Sequence, residues 1–167
     1  MLTFRGMKPL FLVILMSLFG CIGSGCSKPD GAFKYYEYRS TTMRSYPYEY
    51  YRLEKTEENG VTLSWSKNSS DYTVIRVPEE AAAQVASLVS QYRLHDLKET
   101  YRTPFDVRDG TMWHVYITFE NKSTSCSADN AWPPKRLWSG IEAINAYCNS
   151  LIEASVEADI IEIKPNR

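Results

Sequence analysis

The chain has 167 residues, of which 44% are hydrophobic and 13% aromatic, and its formal net charge at pH 7 is −1. This length suits one domain, and the hydrophobic content is typical of globular proteins and argues against a disordered chain. The near-neutral charge gives no bulk attraction for nucleic acids or anionic lipids, so no nucleic-acid partner is expected.

The first twenty residues have the three parts of an export signal. Arg5 and Lys8 supply a positively charged start, Leu10–Phe19 form an uncharged apolar stretch, and Gly20 is a small residue at the end. A membrane-spanning helix needs about 20 apolar residues, and this stretch is much shorter. Residues 1–20 are therefore predicted to be a cleaved signal peptide rather than a membrane span.

The run Leu18–Cys21 (Leu-Phe-Gly-Cys) resembles the lipobox of bacterial lipoproteins, in which the cysteine is acylated and becomes the first mature residue. Cys26, which Ser27 follows, is an alternative acylation site, and ordinary secretion without a lipid is the other alternative. Each buried methylene group contributes about 0.8 kcal/mol, so several acyl chains, palmitate among them, anchor a protein stably. The resemblance implies a lipid-anchored protein of the bacterial cell envelope. Because Ile22 rather than Asp follows Cys21, the outer membrane is expected if the organism is Gram-negative.

The composition changes along the rest of the chain. Residues 21–31 carry Gly, Ser, Pro and Asp without apolar periodicity, which predicts a lipidated tether. Residues 32–154 are the predicted single domain. Residues 155–167 are a charged C-terminal tail, whose isoleucines fit either a last strand or an extension of the preceding helix.

The first half of the domain is predicted to contain four strands and a helix. Phe33–Arg39 and Tyr46–Leu53 are the first two strands, and Tyr46, Tyr48 and Tyr50 alternate onto one face of the second. The turn signal Glu58–Gly60 leads into a third strand, and a fourth follows. The helix opens with a proline and two acidic residues and carries its apolar face at helical spacing. The other predicted positions are Val61, Leu63 and Trp65 in the third strand, Tyr72–Val77 as the fourth, and Val85, Leu88, Val89 and Tyr92 on the helix.

The second half is predicted to contain two strands and a second helix. After a long connection, Trp113–Phe119 alternate strictly between apolar and polar residues, and Ser123–Ala128 form the partner strand. The helix has its apolar face at Leu137, Ile141, Ile144, Cys148 and Leu151. We therefore expect an α+β fold, with an antiparallel sheet of about five to six strands, two helices packed on one face, and the order ββββα-ββα.

Two groups of residues are candidates for binding a partner. Tyr46, Tyr48 and Tyr50 belong to a cluster of tyrosines, which offer a flat apolar face and a polar tip suited to glycan or protein contact. The cluster comprises Tyr35, Tyr36, Tyr38, Tyr46, Tyr48, Tyr50 and Tyr51. The alternative is that these tyrosines are strand formers, half-buried across paired strands. Asn130 and Trp132 form either a recognition loop or a structural corner before the last helix.

Candidate catalytic groups are few. Asp106, Asp109 and His114 are the only group that suggests acid–base chemistry, and turn aspartates beside a solvated strand histidine are the alternative. Two histidines in the whole chain are too few for a typical zinc site, so no metal, no cofactor and no catalytic residue is predicted. Cys126 and Cys148 are candidates for a disulfide, which contributes roughly 3 kcal/mol; the alternative is two buried thiols.

A further resemblance rests on Tyr101–Phe105, Asp109-Gly110, Trp113 and Asn130–Pro133. Over roughly residues 35–152, this pattern resembles an uncharacterised family of predicted bacterial lipoproteins. The family loop before Asn-Ala-Trp-Pro is often glycine-bearing, whereas this chain has Ser-Ala-Asp there. The resemblance implies an envelope location and a shared fold, and it implies no activity.

The expected function is that of a lipid-anchored envelope domain that binds a protein or a glycan without catalysis. Its partners are then the membrane, through the N-terminal lipid, and an envelope protein or glycan. One alternative is a hydrolase-like envelope enzyme that uses Asp106, Asp109 and His114. The other is a small lipoprotein inhibitor of another envelope protein.

Overall fold

The computed structural model describes residues 31–42, 45–67, 71–105, 107 and 110–165, with the backbone alone for 45–48 and 165. The predicted signal peptide, Cys21, Cys26, Asp106 and Asp109 lie outside the described residues. In chain order the elements are β1 (Phe33–Thr42), β2 (Ser45–Thr56), β3 (Gly60–Lys67), β4 (Asp71–Arg76), α1 (Glu80–Tyr92), β5 (Thr100–Arg102), β6 (Thr111–Phe119), β7 (Ser123–Asp129), α2 (Lys135–Ala154) and β8 (Ile160–Pro165).

The strands form one sheet in the order β5-β7-β6-β1-β2-β3-β4-β8. Every neighbouring pair is antiparallel except β5 and β7, which are parallel. The predicted α+β class, with two helices and a mostly antiparallel sheet, is confirmed. The predicted count of five to six strands is wrong, because the described chain contributes eight.

The two additional strands are the two edges of the sheet, and the second of them is the last strand that the sequence allowed as one alternative. β5 has three residues and lies in what was expected to be a connection before β6. β8 lies in the segment expected to be a charged tail, and it pairs antiparallel with β4. The predicted order ββββα-ββα is therefore corrected to ββββα-βββα-β.

Both helices lie on one face of the sheet, where they contact each other and β2. Alternate residues of the strands are buried beneath them, as the two-residue repeat of a strand requires. The tyrosines take part through their hydroxyl groups: Tyr36 donates to Asn145 Oδ1 at 2.9 Å and Tyr51 donates to Asn149 Oδ1 at 3.1 Å, both on α2. The core residues with no more than 2% exposure include Tyr36, Tyr51, Leu53, Leu63, Ile75, Val85, Trp113, Val115, Ile117, Ile141 and Ile144.

The two helices approach closely at a glycine. A Cβ added at Gly140 of α2 would lie 2.5 Å from Tyr92 Cβ at the end of α1. α1 ends at Tyr92, because the next residue, Arg93, adopts a left-handed conformation with φ of 56°. Among the helices of the described ranges, neither has the length and apolar character needed to cross a membrane.

Candidate functional site

The opposite face of the sheet carries no described helix, and we call it the open face. Its side chains are those that alternate with the buried core residues along each strand. Strand pairing brings them into rows across β6, β1, β2 and β3. One row is His114, Arg39, Tyr50 and Ser66, and the next is Tyr116, Glu37, Arg52 and Ser64.

A depression lies at the centre of the open face, with a volume of about 460 Å³. Small-molecule sites are typically about 300–1,000 Å³, so the size is adequate for a ligand. The depression is wide open to solvent, and side chains of three adjacent central strands line it. These are Tyr35, Glu37, Arg39, Arg52, His114 and Tyr116.

Glu37 is the fixed centre of this depression. Although it is on the open face, it is only 4% exposed. Its carboxylate accepts from Arg39 Nε at 2.7 Å and from Arg52 Nη1 at 2.9 Å. Burying a carboxylate is costly unless it is paired and hydrogen-bonded, so the two arginines account for its position.

Arg52 is held by a second carboxylate. Its Nε and Nη2 donate to the two oxygens of Glu54 at 3.0 and 2.9 Å, in the fork geometry that makes such pairs strong. The hydrogen bond to Glu54 raises the pKa of Arg52 further, although burial acts in the opposite direction. The guanidinium also lies 4.5 Å from the centroid of the Tyr35 ring.

Arg39 is positioned by Glu37 and by an aromatic ring. Its guanidinium lies 5.4 Å from the centroid of Tyr50, which is 8% exposed and packs edge-on against Tyr72. The Arg39 side chain is half exposed. Across the part of the chain that the structure describes, no hydrogen bond reaches its two terminal nitrogens.

The charged groups around the depression are paired with one another. Two arginines and two glutamates neutralise each other, and two tyrosines and a histidine complete the wall. Of the predicted acid–base group, only His114 is described, on β6 opposite Arg39. Within the described ranges, no three His, Cys, Asp or Glu side chains come together as metal ligands.

The predicted tyrosine cluster is divided between the two faces. Tyr36 and Tyr51 belong to the core under the helices, whereas Tyr50 lies on the open face beneath Arg39. The side chains of Tyr46 and Tyr48 lie outside the described residues. A binding role for Tyr46, Tyr48 and Tyr50 stays a prediction.

Asn130 and Trp132 lie at the corner between β7 and α2. Asn130 has φ of 48°, and its Oδ1 accepts from the backbone N–H of Thr111 at 2.7 Å. A Cβ at Gly110 would collide with the Asn130 amide. Trp113 Nε1 donates to the Ala131 carbonyl at 3.0 Å, which ties β6 to the same corner.

These contacts give a structural reason for the spacing of Gly110, Trp113 and Asn130 in the sequence. Trp132 is 53% exposed and packs edge-on against Trp138, with 6.4 Å between ring centroids. A recognition role for Asn130 and Trp132 stays a prediction.

Cys126 and Cys148 are buried free thiols in the structure. Burial raises the pKa of both thiols to about 12, which keeps them protonated and weakly nucleophilic at neutral pH. A disulfide between them in an oxidising compartment stays a prediction.

Sequence reasoning missed most of the depression. It selected His114, and Tyr35 as a member of the tyrosine cluster, but not Glu37, Arg39, Arg52 or Tyr116. The available signal was the pairing of charged positions: Glu37 and Arg39 in β1 alternate with buried Tyr36 and Tyr38, and Arg52 and Glu54 do the same in β2. Glu37 and Arg52 face each other across these two strands, and opposite charges in such positions form stabilising pairs.

Comparison of the chain with protein-family models, with curated proteins and with solved structures finds no match. The resemblance to predicted bacterial lipoproteins therefore stays an expectation from the sequence.

Proposed function

We propose that the chain is a lipid-anchored protein of the bacterial cell envelope that binds a glycan on its open face and catalyses no reaction. The single observation that carries the proposal is the depression in the middle of the sheet, lined by charged and aromatic side chains that are held in place by one another. Lipidation at Cys21, with Cys26 as the alternative, supplies the location. The outer membrane is the expected site if the organism is Gram-negative.

The position of the depression favours a glycan over a peptide. Extended peptides bind sheets chiefly by adding a strand to a free edge, where main-chain hydrogen bonds supply affinity. β1, β2 and β6 each have a hydrogen-bonded neighbour on both sides, so no free backbone edge is available there. A ligand must be recognised through guanidinium, carboxylate, hydroxyl and aromatic groups, which complement the hydroxyls and apolar ring faces of sugars.

The tether restricts where the ligand is found. A flexible chain of n residues spans about 5–6 Å × √n, so a tether of about ten residues keeps the domain close to the bilayer. The glycan is therefore at or near the membrane surface. Metabolic labelling with a palmitate analogue tests the anchor: Cys21→Ser is expected to abolish labelling and Cys26→Ser to leave it unchanged. The reverse result would assign the acylation site to Cys26. If the wild-type protein and both variants all remain unlabelled, the lipid anchor is refuted.

Binding is tested by probing a glycan array with the full-length protein in detergent micelles and measuring the affinity of the hits by titration calorimetry. Tyr116, which is 37% exposed at the rim, is expected to contact a sugar ring, so Tyr116→Ala weakens binding by about fivefold or more. Trp132→Ala tests the other candidate site, because Trp132 is exposed and does not line the depression, and it is expected to leave binding unchanged. Absence of any retained glycan refutes the proposal, and loss of binding in Trp132→Ala alone would assign the site to the Trp132 corner.

A further inference from the structure

Arg39 differs from Arg52 in the use of its donors. Arg52 places Nε, Nη1 and Nη2 on Glu37 and Glu54, so each of its three nitrogens already holds a carboxylate. Arg39 commits only Nε, to Glu37, and no described residue takes a hydrogen bond from its terminal nitrogens. Two parallel N–H donors at the end of a guanidinium match the two oxygens of a carboxylate.

Arg39 is also held in position before a ligand arrives. Its Nε bond to Glu37 is 2.7 Å long, and the Tyr50 ring lies beneath its guanidinium. Because Glu37 and Tyr50 are themselves buried, they form a rigid base for a side chain that is half exposed. An arginine held in this way loses less conformational entropy on binding than a free surface arginine does.

His114 lies directly across from Arg39 in the β1–β6 register, and both residues line the depression. An imidazole N–H adds a third donor beside the two of Arg39. Tyr116 is two residues along the same strand and on the same face, where its ring borders the space above the donors.

The net charge of the side chains around the depression indicates how many negative charges a ligand carries at this site. The four charges of Arg39, Arg52, Glu37 and Glu54 cancel, and the mature chain is net negative. A polyanion is drawn to a surface with a large positive excess, which this site lacks. A single carboxylate, placed by hydrogen-bond geometry, suits it better than a phosphate-rich ligand does.

We propose that Arg39 and His114 bind the carboxylate of an acidic sugar, with the sugar ring against Tyr116. This inference rests on the proposed glycan-binding function and names the class of glycan. It assigns to Arg39 the role of reading the acid group and to Glu37 the role of positioning Arg39.

The test compares a trisaccharide that ends in one galacturonic acid residue with its methyl ester, which keeps the sugar rings and removes the single charge. Titration calorimetry with the full-length protein is expected to show about tenfold or tighter binding of the free acid, as charge-assisted hydrogen bonds are the stronger class. Arg39→Gln is expected to reduce the ratio of the two affinities to about one. Arg136→Gln is the matched control, since Arg136 is a half-exposed arginine of α2, on the opposite side of the sheet from the depression, and like Arg39 it pairs with a carboxylate.

The outcomes separate the two proposals. Equal binding of acid and ester by the wild-type protein overturns this inference and leaves glycan binding intact. If the glycans retained on the array include no acidic sugar, this inference is also overturned and glycan binding stands. If no glycan binds at all, the proposed function is refuted. Binding of an oligoglutamate peptide as tight as that of the trisaccharide overturns the assignment to sugars. If Arg39→Gln does not fold, Arg39→Lys and His114→Gln give the same comparison, and the wild-type ratio requires no variant.

Discussion

The ion-pair network of the open face gives a stability prediction centred on Glu37. Glu37→Gln keeps the shape of the side chain and removes its charge. Glu37 now accepts two charge-assisted hydrogen bonds, from Arg39 and Arg52, and its side chain is only 5% exposed. Hydrogen bonds to charged groups contribute about 1.5–3 kcal/mol each when buried.

Solvent reduces these values here. The Arg39 side chain is 50% exposed and the Arg52 side chain 31% exposed, and exposed ion pairs contribute only about 0–1 kcal/mol. The glutamine also retains one acceptor oxygen, and Arg52 retains its fork with Glu54. We therefore expect Glu37→Gln to lower the free energy of unfolding by about 2 kcal/mol, between the values for exposed and buried pairs.

Glu54→Gln is the matched control. It removes the same charge from a carboxylate that also binds Arg52, but the Glu54 side chain is 34% exposed, so we expect a loss of about 0.5–1 kcal/mol. Urea denaturation at pH 7, monitored by circular dichroism, measures the free energy of unfolding of both variants. The m-value is expected to be unchanged. Equal losses for the two variants, or a loss below about 0.5 kcal/mol for Glu37→Gln, would refute the view that burial makes Glu37 the centre of the network.

Two further predictions concern buried titratable groups. Because burial raises the pKa of Cys126 and Cys148 to about 12, neither thiol in the native protein is expected to react with iodoacetamide at pH 8, and both are expected to react in denaturant without reductant. Mass spectrometry of the peptides checks this, and protection that persists in denaturant would reveal a disulfide. Burial also lowers the pKa of His95 below 6.5. The unfolded chain then binds the proton more readily, so stability falls as the pH drops below about 6.5. A His95→Gln variant should lose that part of the pH dependence, and an NMR titration midpoint of His95 at or above 6.5 would contradict the reasoning.

The strands and helices that were predicted are those with a strong repeat. β6 is the clearest example, since Trp113, Val115 and Ile117 are buried and the residues between them face the open side. β5 carries no such signal, because three residues are too few for a repeat and its parallel pairing with β7 depends on tertiary structure. β8 was ambiguous because its exposed isoleucines fit a strand or a helix, and only the free edge of β4 selects the strand.

The candidate site was harder to predict than the fold. Tyrosines occur on both faces of β1 and β2, so the alternation that separates core from surface was hidden there: Tyr36 is buried under the helices, whereas its neighbour Tyr35 lines the depression. Glu37 belongs to a residue type that is usually exposed. Glu37 can be buried because Arg39 and Arg52 lie at neighbouring positions of the sheet. The strand register brings Arg52 next to Glu37, and the register cannot be read from the sequence.

The position of β1 has a mechanical consequence. β1 begins two residues after the predicted tether, lies between β6 and β2, and carries Glu37 and Arg39. If the chain is anchored through Cys21 and binds a ligand in the depression, as proposed, tension between the two would run along this one central strand, perpendicular to the hydrogen bonds that hold it on both sides. Those bonds share the load in shear instead of opening one after another. Pulling on the predicted tether would therefore load a strand that is hydrogen-bonded on both sides and that itself carries Glu37 and Arg39, with no described loop between the start of β1 and these residues.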